Sequence, residues 1–275
     1  MGTPRSSRVE TLDAMLLAER IGREFPALRV EVLDECSSTN TVLAERAKAG
    51  AAHGTLLLCE HQSAGRGRRG NSWVSEAGGS VTFSIFWRFP QGAGALVALG
   101  LAVAVGAARA LERLGVRRVG VKWPNDLLGD GRKLGGILIE TSGDAAGSSA
   151  AVVGVGVNLR LSASARRRIA APVTDIASCC ATAPSRTAVA AELMVSVAGT
   201  LERFSREGFA PFRQPWLELH AWQGRRVVLS RDHRPVAEGE AIGIGEDGAL
   251  ELASERGIER FGSGELSLSL EQTLE

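Results

Sequence analysis

A chain of 275 residues with 44% hydrophobic and 23% charged side chains has room for one large or two modest domains around a sizeable core. Its 32 Lys and Arg offset 31 Asp and Glu to a net charge of +1, so no overall field draws it to nucleic acid or to an acidic membrane. Its 4 cysteines, Cys36, Cys59, Cys179 and Cys180, are too few for a disulfide scaffold at this length and show no metal-binding spacing, which fits a reducing cytoplasm.

The N-terminus lacks the long apolar core of a signal peptide. Residues 11–24 predict an amphipathic helix, with Leu12, Leu16 and Ile21 on one face. The first 27 residues are too few for a winged helix-turn-helix domain. Residues 28–33 alternate as a strand. The hydroxyls of Ser38 and Thr39 stand where they cap a helix over 42–49, stopped by Gly50, and the same helix start suits a polar or anionic ligand. The apolar run 54–60 reads as a buried strand. It feeds Gly65-Arg66-Gly67-Arg68-Arg69-Gly70-Asn71-Ser72-Trp73, where glycines alternate with guanidinium groups. Glycine lets the backbone approach a ligand, successive N–H groups form an anion nest, and arginine forks match phosphate or carboxylate. Such a loop closes over an acidic ligand and is mobile without one. A merely flexible basic loop, or an RNA-touching segment, is the alternative for these residues taken alone.

Residues 80–87 alternate Val81, Phe83, Ile85 and Trp87 with Thr82, Ser84 and Phe86, a strand pattern. The apolar segment 93–108 comes nearest to a membrane span, but its 3 glycines and few large side chains predict instead part of a buried helix over 95–114. A strand at 118–122 runs into Lys122-Trp123-Pro124-Asn125-Asp126, where Pro124 breaks the ladder. Gly129-Asp130-Gly131 then turns a hairpin whose second strand opens with Arg132 and Lys133. After a small-residue loop at 145–149, the strand 151–159 carries Gly154 and Gly156, which mark close approach by ligand or backbone. Residues 160–185 look irregular, with Arg166-Arg167-Arg168 a solvated loop or helix end. Helices are expected at 186–206 and 209–221. Five short strands at 225–230, 235–243, 249–252, 257–261 and 266–270 then suggest a small β-barrel.

Five motifs stand in a fixed order: Ser38-Thr39-Asn40, Gly65-Arg66-Gly67-Arg68-Arg69-Gly70, Lys122-Trp123-Pro124-Asn125-Asp126, Lys133-Leu134-Gly135-Gly136-Ile137 and Gly154-Val155-Gly156-Val157-Asn158. In that order they resemble the biotin–protein ligases, over about residues 33–221 and more loosely over the terminal strands. The resemblance implies an α+β fold: a mixed, largely antiparallel sheet flanked by helices, like class II aminoacyl-tRNA synthetases, then an SH3-like β-barrel. It implies a catalytic domain over 1–222 and a C-terminal domain over 223–275. It further implies an ATP-dependent enzyme that makes biotinyl-5′-AMP and transfers biotin to a lysine of a biotin carboxyl carrier protein. Biotin, ATP with Mg²⁺ and that carrier are its implied partners.

The implied roles follow the matching positions. Ser38, Thr39, Asn40 and Gln62 would surround the ureido head of biotin. Gly65, Arg66, Gly67 and Arg68 would order over biotin and phosphate, with Arg69 and Trp73 on the nucleotide side. Lys133 would meet the biotin carboxylate and the α-phosphate, with Arg66 and Arg68 as further catalytic groups and Gly135 and Gly136 letting the ligand approach. Asn125 and Asp126 would serve phosphates, adenosine or hydrated Mg²⁺, Asp126 being the one candidate metal ligand, and Lys122 would serve the phosphates or merely a surface. Asn158 would meet adenine. Two departures stand out: Asn71 replaces a basic residue of some relatives, and residues 160–185 hold no tryptophan, leaving Pro172 or Val173 to cover adenine. No DNA or membrane partner is expected, a homodimer is left open, and the location implied is cytoplasmic. A lipoate or octanoyl transferase of the same superfamily is the nearest alternative, against which the intact Gly/Arg loop and the terminal strands argue. A nucleic-acid-binding regulator is the other, against which the net charge of +1 and the missing N-terminal domain argue.

Overall fold

The computed structural model describes residues 10–143, 147–169, 171–264 and 266–271. The small-residue loop expected at 145–149 falls partly outside these residues, as does the start of the N-terminal segment.

Strands β1 (Arg29–Cys36), β2 (Thr55–Gln62), β3 (Ser80–Phe89), β4 (Val119–Lys122), β5 (Asp126–Gly129), β6 (Arg132–Gly143) and β7 (Ser149–Asn158) form a seven-stranded sheet in the order β1-β2-β3-β7-β6-β5-β4. β1 and β2 are parallel; every other neighbouring pair is antiparallel. The β5–β6 turn places Asp130 and Gly131 at positive φ, the geometry that an Asp-Gly hairpin favours. β3 is central and buried on both faces except at Arg88, so its polar set, Thr82 and Ser84, looks into protein and not into water.

One face of the sheet carries α1 (Ala14–Glu24), α3 (Leu99–Arg113), α6 (Arg186–Glu207) and α7 (Ala210–Leu219) over a single large core. Helix α2 (Thr39–Lys48) covers part of the other face, where Leu43, Leu57, Phe86 and Val152 form a small cluster. The irregular stretch holds only the short α4 (Ala163–Arg168) and α5 (Ile176–Cys179). Segment 93–113 is long and apolar enough to cross a membrane, yet 72% of its most apolar window is buried inside the protein, as a core helix requires. In α1 the Asp13 carboxylate accepts from Leu16 N at the helix start, and Leu17 and Ile21 are wholly buried. Leu16, expected on the apolar face, is instead 48% exposed, and Leu12 reaches the core from the segment before the helix.

That segment is tied in by Arg186. Its guanidinium is wholly buried, pairs with the Glu60 carboxylate, and donates to Ser80 O and Glu60 O at 3.0 Å each and to Glu10 O at 3.3 Å. Leu12 N donates to Glu60 Oε1 at 2.6 Å, and Asp13 N to Thr187 Oγ1 at 3.1 Å. Arg186 thus fixes the ends of β2 and β3, between which the Gly/Arg loop is strung.

The C-terminal strands β8 (Arg226–Arg231), β9 (Arg234–Ile244), β10 (Leu250–Ser254), β11 (Gly257–Phe261) and β12 (Leu266–Leu270) form an antiparallel sheet in the order β11-β10-β9-β8-β12. Its inward set, including Val227, Leu229, Ile244, Leu250, Leu252, Leu266 and Leu268, joins the main core. Trp123 is wholly buried and its Nε1 donates to Gly248 O at 3.3 Å, so the tryptophan of the Lys-Trp-Pro-Asn-Asp motif clamps the two sheets together.

Candidate functional site

The strand register lays two rows across the sheet. Ser84, Gly154 and Leu138 line up from β3 through β7 to β6; two residues along, Thr82, Gly156, Gly136 and Asp126 line up from β3 to β5. The first row is neutral and polar. The N-terminus of α2 lies over it, but the Ser38 side chain makes no capping bond; the cap is Gln62, whose Oε1 accepts from Thr39 N at 2.7 Å. The Ser84 hydroxyl lies 2.8 Å from Thr39 Oγ1 and donates to Asn40 Oδ1 at 2.6 Å. Asn40 Nδ2 in turn donates to Leu138 O at 3.3 Å and Glu140 Oε2 at 3.0 Å. A Cβ on Gly154 would stand 2.0 Å from Asn40 Oδ1, so this glycine makes room for a side chain of the protein itself. Ser38, Thr39, Asn40, Gln62 and Ser84 are all buried.

The second row ends in charge. Asp126 is buried, with Lys133 Nζ 2.7 Å from Oδ1 and Lys122 Nζ 2.7 Å from Oδ2. Burial by itself would raise this carboxyl, but Lys133 and then Lys122 outweigh it and hold the acid below its ordinary range. Lys133 reaches Asp126 because of a β-bulge: Leu127 pairs with Gly135 and Leu128 with Lys133, so Leu134 is the extra residue. The bulge sends Leu134 into the core and turns Lys133 to the face of Gly136 and Asp126. Lys122 also lies over the Trp222 ring, 5.2 Å from its centre.

The Gly/Arg loop roofs both rows. Gly67 N donates to Asn71 O at 2.7 Å and Trp73 N to Gly65 O at 2.8 Å, closing a small ladder with an Arg66–Ser72 bridge. Trp73 anchors it: a Cβ on Gly156 would lie 2.8 Å from the indole ring, so the bare strand is the seat of the tryptophan. This contact gives the loop an apolar anchor on the sheet. The three arginines diverge. Arg66 pairs with Glu140 at 3.0 Å, Arg68 reaches Asn125 Oδ1 at 3.4 Å and the carbonyls of Ser263 (2.7 Å) and Gly264, and Arg69, at φ 58°, pairs with Asp232 at 2.9 Å.

The result is one cavity of about 190 Å³ running from Ser38, Thr39, Asn40 and Gln62 to Lys122, Asn125, Asp126, Lys133 and Gly136, under Arg66, Gly67, Arg68, Arg69 and Trp73. Residues 32–158 match the Biotin/lipoate A/B protein ligase family, and residues 224–269 match the Biotin protein ligase C terminal domain. The Bifunctional ligase/repressor BirA of Escherichia coli (strain K12) is 34% identical over 258 residues, which is 92% of this chain and 78% of that protein. The chain belongs to the biotin protein ligase family. The Biotin--[acetyl-CoA-carboxylase] ligase of Paracoccus denitrificans is 34% identical over 233 residues, covering 82% of this chain and 95% of that one. A solved structure, the biotin protein ligase from Aquifex aeolicus in complex with biotin and ATP, superposes with a TM-score of 0.74 at 26% identity, over 88% of this chain and 99% of that one.

Three residues singled out in the sequence of this family member stand off the cavity. A Cβ on Gly65 would meet Trp73 O at 2.6 Å, and one on Gly135 would meet Gly156 O at 2.6 Å, so both glycines serve backbone packing. Asn158 is buried and donates to Thr174 O at 3.0 Å. Pro172 and Val173 do not cover the cavity. They run beside the start of β6, where Lys133 N donates to Pro172 O at 3.0 Å and Thr174 N to Lys133 O at 2.9 Å, bracing the lysine backbone. Asp126 does not fit a metal-ligand role, because each of its oxygens is engaged by a lysine ammonium. Among the described residues no three His, Cys, Asp or Glu side chains converge on a metal-sized site. Thr82 lines the cavity without having been singled out for a role, as do Leu266, Ser267 and Leu268 from β12, and Ser84 bonds to Thr39 and Asn40 of its wall. Thr82 and Ser84 had a signal, since they form the polar half of an alternating strand opposite Gly154 and Gly156. The β12 residues had none: nothing local marks a distant strand as a wall.

Proposed function

We propose that this chain activates biotin with ATP as biotinyl-5′-AMP, releasing pyrophosphate, and passes the biotinyl group to a lysine of a biotin carboxyl carrier protein. One observation carries the reading: a single cavity whose one end is neutral and hydrogen-bonding and whose other end is cationic. The buried hydroxyls of Ser38 and Thr39 and the amide of Gln62 suit a ureido group, which has two donors and one strong acceptor. Lys133 lies against Gly136, its Nζ 3.8 Å from where a Cβ there would stand, in the part of the cavity where the acid chain of a ligand held by its head would end.

Joining a carboxylate to a phosphate brings anions together, so the chain must supply positive charge where negative charge gathers. Lys133, with Arg68 beside Asn125, is placed to do this. Asp126, kept ionised by two lysines, orients both ammonium groups. In the first step a carboxylate oxygen bonds to the α-phosphorus and pyrophosphate leaves. In the second the acceptor amine bonds to the acyl carbon, AMP leaves and the amine loses a proton. The roof of Arg66, Arg68 and Trp73 keeps water from the anhydride in between. Mg²⁺ would enter with the nucleotide, as part of that substrate. We assign residues 1–222 to the catalytic domain and 223–275 to the C-terminal domain. Four free thiols, three of them buried, fit the cytoplasm. DNA binding is not part of the proposal, since Arg66, Arg68 and Arg69 are engaged within the protein. A lipoyl or octanoyl chain would need an apolar slot where Ser38, Thr39, Gln62 and Ser84 stand.

The test is incubation with ATP, Mg²⁺, biotin and a biotin carrier domain. Pyrophosphate release should require biotin, and intact mass should show one biotinyl group on the carrier. Release with lipoate or octanoate but not with biotin would replace this reading.

A further inference from the structure

Two buried polar groups under the roof have no hydrogen-bond partner among the described residues: the Thr82 hydroxyl and the Trp73 indole N–H. Thr82 is only 3% exposed, lines the cavity, and stands opposite Gly156, the glycine on which Trp73 lies. A hydroxyl buried without a partner costs free energy, so its place in the cavity wall needs an explanation. Its position along β3 supplies one. Ser84, in the row of Asn40 and Gly154, is two residues away, about 7 Å along the strand. Asp126 ends the Thr82 row on β5, two strands beyond Gly156, and Lys133, on the intervening β6, pairs with it. A ligand with its ureido head in the first row and its carboxylate at Lys133 must carry the middle of its body past Thr82. In biotin that middle is the sulfur-containing ring.

We propose that Thr82 is a specificity-determining residue whose hydroxyl donates a hydrogen bond to the ring sulfur of bound biotin, beside the indole of Trp73. The inference rests on the biotin reading and goes beyond it by naming a residue and the ligand atom it addresses. Once the ligand is bound the orphaned hydroxyl has a partner. Without ligand the hydroxyl is a standing cost, so an apolar residue of the same shape makes the empty protein more stable.

The experiment compares wild type, Thr82→Val and Thr82→Ser with biotin and with desthiobiotin, in which two hydrogens replace the sulfur. Thr82→Val should raise the KM for biotin about three- to tenfold with kcat within about twofold, the range expected for one hydrogen bond. It should leave the KM for desthiobiotin within about twofold, and Thr82→Ser should restore the biotin value. The melting temperature of ligand-free Thr82→Val should equal or exceed that of wild type, which a purely structural hydroxyl would not allow. Equal shifts for both ligands, or no shift for either, would overturn the assignment while leaving the ligase reading intact. Wild type that releases no pyrophosphate with biotin would remove the reading itself.

Discussion

Lys133 and Lys122 share one buried carboxylate, and this decides how each substitution should behave. Lys133→Ala leaves Asp126 its second partner, so the fold should tolerate the change. The transition state, however, loses a charge-assisted contact in a roofed site, a loss of about 2–4 kcal/mol. Pyrophosphate release at saturating biotin should fall by about thirtyfold or more, with little change in melting temperature. An unchanged rate would take Lys133 out of the mechanism. Arg68 has a different task. Its guanidinium joins the loop to Asn125 and to the carbonyls of Ser263 and Gly264, so it holds the roof shut. Arg68→Gly should still form the adenylate but release it about ten- to a hundredfold faster, as expected for a loss of roughly 1–3 kcal/mol. The escaping anhydride would then biotinylate bystander lysines. Mixing the variant with ATP, biotin and albumin and counting modified albumin lysines measures this; labelling no greater than wild type would show that Arg68 is not a latch.

Among the elements, α1 bears most directly on where the chain can be cut. All five motifs lie beyond residue 37, so the sequence suggests that residues 1–27 are dispensable for turnover, at a modest stability loss. The packing points the other way. Leu17 and Ile21 are wholly buried, Leu12 nearly so, and Glu10 and Leu12 complete the bonds around Arg186 and Glu60. Exposing three such side chains costs on the order of 5 kcal/mol, comparable to the whole margin of a small domain. Removing 1–27 should therefore lower the urea midpoint steeply and cost soluble yield. A truncation that melts with wild type would show that the contacts of α1 are dispensable.

At the scale of the whole molecule, the joint between the two sheets contains a titratable group. His220 follows α7 and is 5% exposed; its ring stacks on Trp216 with centroids 4.6 Å apart, and its Nε2 has no partner among the described residues. Burial pushes the imidazole down to about 4, with only a weak opposing bond from Gln223. The folded protein therefore keeps His220 neutral where the unfolded chain, with the ordinary value of about 6.5, takes up a proton. Stability from this group is complete above pH 6.5 and falls as pH drops, by about 3 kcal/mol near pH 4. Urea melts at pH 7 and pH 4.5 should show a larger loss for wild type than for His220→Gln; parallel losses would mean that His220 does not titrate on unfolding.

Much of this protein is legible in its residues. Period-two and period-3.6 patterns mark the strands and helices, Asp130-Gly131 marks the hairpin, and five ordered motifs mark the family, because each is a local property of a few consecutive side chains. Glycine was legible only in part. Gly154 and Gly156 announce close approach, but only the packing says what approaches, and it is Asn40 and Trp73. The aim of Lys133 was hidden because a bulge depends on the register of two strands, and register is settled by the whole sheet. The cap of α2 is not legible locally, because Gln62 lies 23 residues downstream of the N–H it satisfies while Ser38 stands beside it. The cost of losing α1 was invisible for the same reason: Arg186 and Glu60 are 126 residues apart. Local chemistry names the groups that can act. Which of them face one another is decided by contacts between segments distant in sequence, and those form only when the core is complete.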